Sequence, residues 1–204
     1  MTEICIENDV FIVSDEVHCD LLRMGENHQP LASLYPQSTF IVTCMAPSKT
    51  FNLAGMQIAN VIIQDPELRK LWMERNLPVV NPISLAAAQG VYENGDEWLD
   101  ALRCYLDGNF ALLRAFLDEH LPKAVFTMPQ ATYLAWIDLG VYVDRSVNLT
   151  RFFAQEAGVI LEGGEMFIDN AECRVRINLA CPRSMVQNCL ERVRTALQVL
   201  PSPD

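Results

Sequence analysis

Two short apolar runs, Val10–Ser14 and Phe40–Met45, each break off into a polar cluster, and this pattern constrains the fold more than any other feature of the chain. Buried parallel strands present their carboxyl ends in this way, because both faces of such a strand are covered while its end meets solvent. A third run, Ile58–Ile63, follows. Asp65-Pro66 then supplies an N-cap and a first-turn proline, which predicts a helix through Leu68, Leu71 and Trp72. Strands that alternate with helices imply an α/β layer.

The pattern changes downstream. After a loop at 77–82, a helix is predicted over Leu85–Val91 with a break at Asn94-Gly95. The stripe Trp98, Leu102, Leu106, Phe110, Leu113, Leu117, Leu121 keeps helical spacing until Pro122 stops it. Strands are predicted at Tyr133–Asp138 and Arg174–Leu179, flanking a helix over Val147–Ala157 that ends at Gly158. A last helix is predicted from Ser184, with Gln187 completing a capping box, and Pro201–Asp204 form a frayed tail. The reading is two units, an α/β piece over residues 1–94 and an α+β piece over residues 95–204. The few strands visible before Gly95 make a small sheet short of cover, so the first unit is expected to lack an N-terminal part.

Half of the 204 residues are hydrophobic and a fifth are charged, an ordinary globular composition. The net charge of -11 argues against nucleic acid and anionic membrane as partners. The uncharged stretch Gln29–Ser48 is interrupted by Pro30, Pro36 and Pro47, which rules it out as a membrane helix. Seven scattered cysteines, with no CxxC pair, read as reduced thiols and predict a cytoplasmic chain. The histidines His18, His28 and His120 are far apart in sequence and predict no metal site.

The chemistry gathers where the first two strands end. Ser14-Asp15-Glu16-Val17-His18 and Ala46-Pro47-Ser48-Lys49 follow neighbouring strands, so an acid and an amine can face one ligand. A lysine amine is suited to Schiff-base chemistry, and a carboxylate can hold a pyridinium nitrogen protonated; together they are the minimum equipment for pyridoxal phosphate. Position alone does not establish this, since a lysine after a strand is usually a solvated loop residue and an Asp-Glu pair a cap.

The segments FIVSDEVHCDLL, IVTCMAPSKTFNLAG, PQATYLAWIDL and RVRINLACPRS resemble consecutive signature blocks of the fold-type I pyridoxal-phosphate enzymes. They are most similar to the cystathionine beta-lyase-like branch of the class I/II aminotransferases. The resemblance covers nearly the whole chain and corresponds to the C-terminal half of such an enzyme. It implies the C-terminal part of a cofactor-binding large domain, mostly a parallel sheet with helices, followed by an α+β small domain. By the same resemblance Lys49 carries pyridoxal 5'-phosphate as a Schiff base and shuttles the Cα proton, and Asp15 pairs with the pyridine nitrogen. His18 stands near the phenolic oxygen, Ser48 helps hold the phosphate, and Arg176 clamps the α-carboxylate of an amino-acid substrate through its bidentate fork. Two positions depart from the family's pattern: Ala46 and Gln57 stand where many aminotransferases have a phosphate-binding serine and arginine.

The expected activity is that of a carbon-sulfur beta-lyase or an aminotransferase, in a homodimer. The alternative is a truncated, non-catalytic fragment that no longer holds the cofactor stably. Strand alternation gives Arg174 and Arg176 the same face, so periodicity does not separate them. Tyr133 and Trp136 read as small-domain core, and Met166 and Phe167 as part of a loop beside the substrate.

Overall fold

A computed structural model describes residues 1–76, 79–168 and 171–200; Leu77 and Pro78 of the predicted loop and the tail at 201–204 lie outside them. A short helix, α1 (Thr2–Glu7), precedes β1 (Ile12–Asp15); α2 (Leu31–Leu34) leads into β2 (Ile41–Met45). β1 and β2 are parallel, with Ile12 opposite Ile41 and Asp15 opposite Cys44. β3 (Asn60–Ile63) returns antiparallel to β2, giving a mixed sheet in the order β1-β2-β3. The reason lies in the connection. Between β2 and β3 the chain forms only a turn and a 3-10 turn at Ala54–Met56, with none of the crossover helix that a parallel return requires.

Nor is β1 buried on both faces. Ile41 and Thr43 on one face are 1% and 4% exposed, whereas Phe11 and Val13, whose side chains share the other, are 53% and 67% exposed. β1 is an edge strand, and on that face Phe11 meets only the ring of Phe40, at 5.2 Å, among the described aromatic side chains.

The predicted cap holds: Asp65 Oδ1 accepts from Leu68 N at 2.6 Å and opens α3 (Pro66–Arg75). Asn81 caps α4 (Pro82–Asn94) in the same way, accepting from Ile83 N, and α4 begins one turn earlier than its apolar residues suggest. Gly95 ends α4 against the ring of Phe51, where a Cβ would stand 2.5 Å from a ring carbon. α5 (Asp96–His120) then carries the long stripe. The chain divides into two compact units, Met1–Arg103 and Cys104–Asp204, within this helix.

In the second unit an antiparallel sheet runs β4 (Val125–Phe126), β5 (Leu134–Asp138), β7 (Arg174–Asn178), β6 (Glu162–Gly163) in spatial order. Ala135, Ile137, Val175 and Ile177 turn one face into a core shared with Phe110, Leu113 and Leu117 of α5. α6 (Leu149–Phe152), with a π-helical turn over Phe153–Ala157, and α7 (Arg183–Leu197) complete that core through Leu149, Phe153, Val186, Leu190 and Val193. Each such side chain contributes about 1.5–3 kcal/mol by leaving water. The other face carries Trp136, Arg174 and Arg176. The capping box expected at Ser184 does not form. Pro182, extended at φ -52 and ψ 137, starts α7 one residue earlier, and the N–H of Arg183 donates to the hydroxyl of Tyr105 at 2.8 Å.

Candidate active site

The parallel register of β1 and β2 decides what can meet at their carboxyl ends. Asp15 is the last residue of β1; its exposed carboxylate accepts from the N–H of Val17 at 3.2 Å. Glu16 N donates to Cys44 O at 2.8 Å, and the chain then turns through 17–20, with Cys19 N bonded to Glu16 O and Leu21 N to His18 O. His18 is half-buried in this turn. The segment beyond it is held from α5, where Arg103 donates to Leu22 O at 3.2 Å and to Glu26 O at 3.4 Å.

Glu16 anchors the same loop from inside. Its carboxylate is buried and accepts from Ser14 Oγ at 2.9 Å, His28 Nε2 at 2.7 Å and Leu31 N at 3.1 Å. Burial opposes its ionisation, but the bonds from His28, Leu31 N and Ser14 outweigh that effect and hold it below the usual carboxylate range.

β2 ends in a second turn. Phe51 N donates to Pro47 O at 2.9 Å and Leu53 N to Ser48 O at 3.1 Å. Asn52 takes the left-handed conformation at φ 55, which asparagine tolerates better than most residues. Ser48 is half-buried, Lys49 is exposed and Thr50 is only 1% exposed. The hydroxyl of Thr50 donates to Asp20 Oδ2 at 2.9 Å and so bridges the two turns. Asp20 also accepts from Cys19, whose thiol is pushed up to about 12 by burial, reinforced by the charges of Asp20 and Glu16. Asp15 at the end of β1, and His18, Ser48 and Lys49 on the turns that follow β1 and β2, thus stand at one end of a parallel strand pair.

Arg176 stands on β7 in the second unit, opposite Trp136 of β5 and Glu162 of β6. Its Nε donates to Glu162, whose carboxyl is held low by that bond, and Phe167 lies 5.0 Å from the guanidinium carbon. Phe167 in turn meets Trp136 edge-on at 5.0 Å. The bond to Glu162 runs through Nε, and the terminal nitrogens carry the planar fork that arginine offers. Arg174 shares the face, as alternation required, but pairs with Asp138 at 3.2 Å. The geometry therefore separates two arginines that periodicity could not: they face different carboxylates.

A model of aminotransferase class I and II matches residues 1–193. The chain belongs to that family. Cystathionine beta-lyase PatB of Bacillus subtilis is 38% identical over 200 residues, and Protein MalY of Escherichia coli 26% over 205. Among solved structures, the PLP-bound C-S lyase from Staphylococcus hominis matches with a TM-score of 0.94 at 44% identity, over 97% of this chain and 52% of that one. Cystalysin from Treponema denticola matches at 0.88 with 31% identity, over 96% of this chain and 51% of its own. The chain covers 96% of itself and 52% of the Bacillus protein, so it spans about half the length of the relatives it matches.

Within this family chain, sequence reasoning missed three residues beside the two turns: Glu16, Asp20 and Thr50. Their partners are 12, 15 and 30 residues away, and no local pattern signals such bonds.

Proposed function

We propose that this chain is part of a pyridoxal-phosphate enzyme that acts on amino acids, with Lys49 as the residue that holds the cofactor through its amine. The observation that carries this reading is the register of β1 and β2, with Asp15 opposite Cys44 and the Lys49 turn beginning two residues after β2 ends. The donor set fits the group: an exposed carboxylate suited to a pyridinium nitrogen, an exposed amine suited to an aldehyde, and Ser48 and His18 as hydrogen-bonding groups. When bound, the cofactor supplies an electron sink for the bonding pair left behind at the substrate Cα.

The protein's own residues do the rest. Lys49 would take the Cα proton as general base. Asp15 would pair with the ring nitrogen and keep it protonated. His18 would donate or accept at the phenolic oxygen, Ser48 at the phosphate, and the guanidinium fork of Arg176 would receive the substrate carboxylate. If Lys49 only removes the Cα proton and a thiolate leaves Cβ, the outcome would be a carbon-sulfur beta-elimination; if Lys49 also redelivers that proton and water then releases a keto acid, it would be a transamination. The names of the relatives, PatB and the Staphylococcus lyase, favour elimination. We read the enzyme as a homodimer, a reading supported by exposed apolar side chains such as Val13 and Ile83 at 67% and 69%. A cytoplasmic setting is supported by seven free cysteines.

The test is borohydride reduction in the presence of pyridoxal phosphate, followed by peptide mapping. The chain has three lysines, Lys49, Lys70 and Lys123, so the map is unambiguous. A pyridoxyl group on Lys49, with pyruvate released from cystathionine, supports the reading; an unmodified Lys49 overturns it. A second reading, a folded chain that does not retain the cofactor, is favoured by the exposed side chains of Phe11 and Val13. It predicts an unmodified Lys49 in a protein with a native circular-dichroism spectrum.

A further inference from the structure

We propose that Asp20 and Thr50 are a positioning pair that holds the turn bearing Lys49 against the turn bearing His18. The proposal deepens the reading above, since it concerns how the groups assigned to the cofactor are kept in register.

Backbone pairing between β1 and β2 ends with Asp15 opposite Cys44 and the bond from Glu16 N to Cys44 O. Past that point each chain turns on its own hydrogen bonds, and nothing in the strand ladder fixes one turn against the other. The bond from Thr50 Oγ1 to Asp20 Oδ2, 2.9 Å long, crosses this gap between residues 30 apart in sequence. Both ends sit next to or near assigned groups: Thr50 follows Lys49 directly, and Asp20 is two residues from His18. At 1% exposure the Thr50 hydroxyl has no access to water and depends on its acceptor. Asp20 receives Cys19 on its other oxygen at 3.6 Å, so its carboxylate is fixed by two donors rather than by one flexible contact. Burial and then the neighbouring Asp20 raise the thiol of Cys19, so the contact between the two is a fixed feature of this turn. A charge-assisted bond at a buried hydroxyl is stronger than a surface one and sensitive to geometry.

The test uses Thr50→Val, which keeps shape and removes the donor, Thr50→Ser, which restores it, and Asp20→Asn, which keeps an acceptor without charge. Hydrogen exchange is read by mass spectrometry on peptides covering 16–22, which carries no substitution in the Thr50 variants. In Thr50→Val, exchange there is expected to rise about tenfold or more, with Thr50→Ser near wild type and the strands of the second unit unchanged. Asp20→Asn is expected to speed exchange over 47–53 by a smaller factor, and it serves where Thr50→Val does not fold. The second readout is the pH titration of the chromophore formed with pyridoxal phosphate, whose midpoint is expected to move in Thr50→Val and to return in Thr50→Ser. Unchanged exchange across the gap in both Thr50→Val and Asp20→Asn overturns the positioning role. If wild type gives no chromophore, the cofactor reading fails by itself, and the exchange experiment still decides whether the pair couples the turns.

Discussion

Glu16 Oε2 and His28 Nε2 meet at 2.7 Å, with the Glu16 side chain 5% exposed and that of His28 30% exposed. The acid lies inside and the imidazole at the surface, so the pair closes the loop that leaves β1 and returns to α2. Its other oxygen takes Leu31 N at the start of α2 and Ser14 Oγ from β1. One carboxylate therefore fixes both ends of the loop that carries His18.

Replacing Glu16 by Gln is expected to cost about 2 kcal/mol at neutral pH, the range for losing charge-assisted bonds at a buried acceptor. The pH dependence has a definite sign. The folded carboxyl titrates below its ordinary value near 4.5, so its contribution is full above that pH and is lost as pH falls through the lowered value. Urea unfolding of wild type and Glu16→Gln at pH 7 and near pH 3 should show a stability difference that shrinks in acid. A difference that persists unchanged would contradict the account.

Asn109 is fully buried in α5 and donates to Leu179 O at 2.8 Å and Cys181 O at 3.1 Å while accepting from Arg183 Nε at 3.1 Å. It ties the end of β7 to the start of α7. Asn109→Leu has nearly the same volume but leaves two carbonyls and a guanidinium without this partner, which is expected to cost about 3 kcal/mol. A denaturant midpoint within error of wild type would refute this.

Gly164 follows β6, which carries Glu162. A Cβ there would lie 1.5 Å from Ala171 O and 2.4 Å from its carbonyl carbon, both backbone atoms that cannot rotate away. Gly164→Ala is expected to lose about 3 kcal/mol and to disturb the Glu162–Arg176 pair. At Gly158, φ is +57 and the nearest atoms belong to the flexible end of Arg192, so Gly158→Ala should cost about 1 kcal/mol. The ordering of the two melting temperatures is the check.

The sequence reading succeeded where the signal is local. The Asp65 cap, the α5 stripe and the alternation of β5 and β7 are all set by neighbours within a turn or two, and the structure has them. It failed where direction or distance decides. An apolar run looks the same in a parallel and an antiparallel strand, so β3 was read without its reversal. Two-residue strands such as β4 and β6 are too short to have a period, and β6 happens to supply the carboxylate that engages Arg176. Ser184 matched a capping box, but Pro182 had already fixed the backbone. At the candidate site, Asp15 and Lys49 could be seen as strand-end residues, whereas the bonds made by Glu16 and Asp20 exist only once the loops have closed.

If Arg176 receives the substrate carboxylate, the two arginines of β7 should differ sharply under substitution. Arg176→Ala removes the fork and is expected to raise KM about 30- to 100-fold with a smaller effect on kcat, the value of a bidentate charged contact. Arg174→Ala breaks only the partly exposed pair with Asp138 and should change KM by less than about threefold. Steady-state kinetics on cystathionine decides it, and equal effects at the two positions would show that the carboxylate binds elsewhere.

Thiol reactivity offers a check that needs no activity. Cys104 is exposed on α5, while Cys173 is buried with its Sγ bonded to Val143 O at 3.3 Å and its thiol pushed up by burial and by Asp138. Cys19 is raised to about 12, first by burial and then by Asp20 and Glu16. The thiolate is the reactive form, so Cys19, held as the thiol, is slow to react at pH 8. Iodoacetamide under native conditions should therefore label Cys104 first and leave Cys19 and Cys173 to the end. Thr50→Val frees one oxygen of Asp20 and loosens its turn, so Cys19 should label faster in that variant than in wild type, while Cys173 in the other unit keeps its rate. Early labelling of Cys19 in the wild type would mean that Asp20 and Glu16 do not enclose it as described.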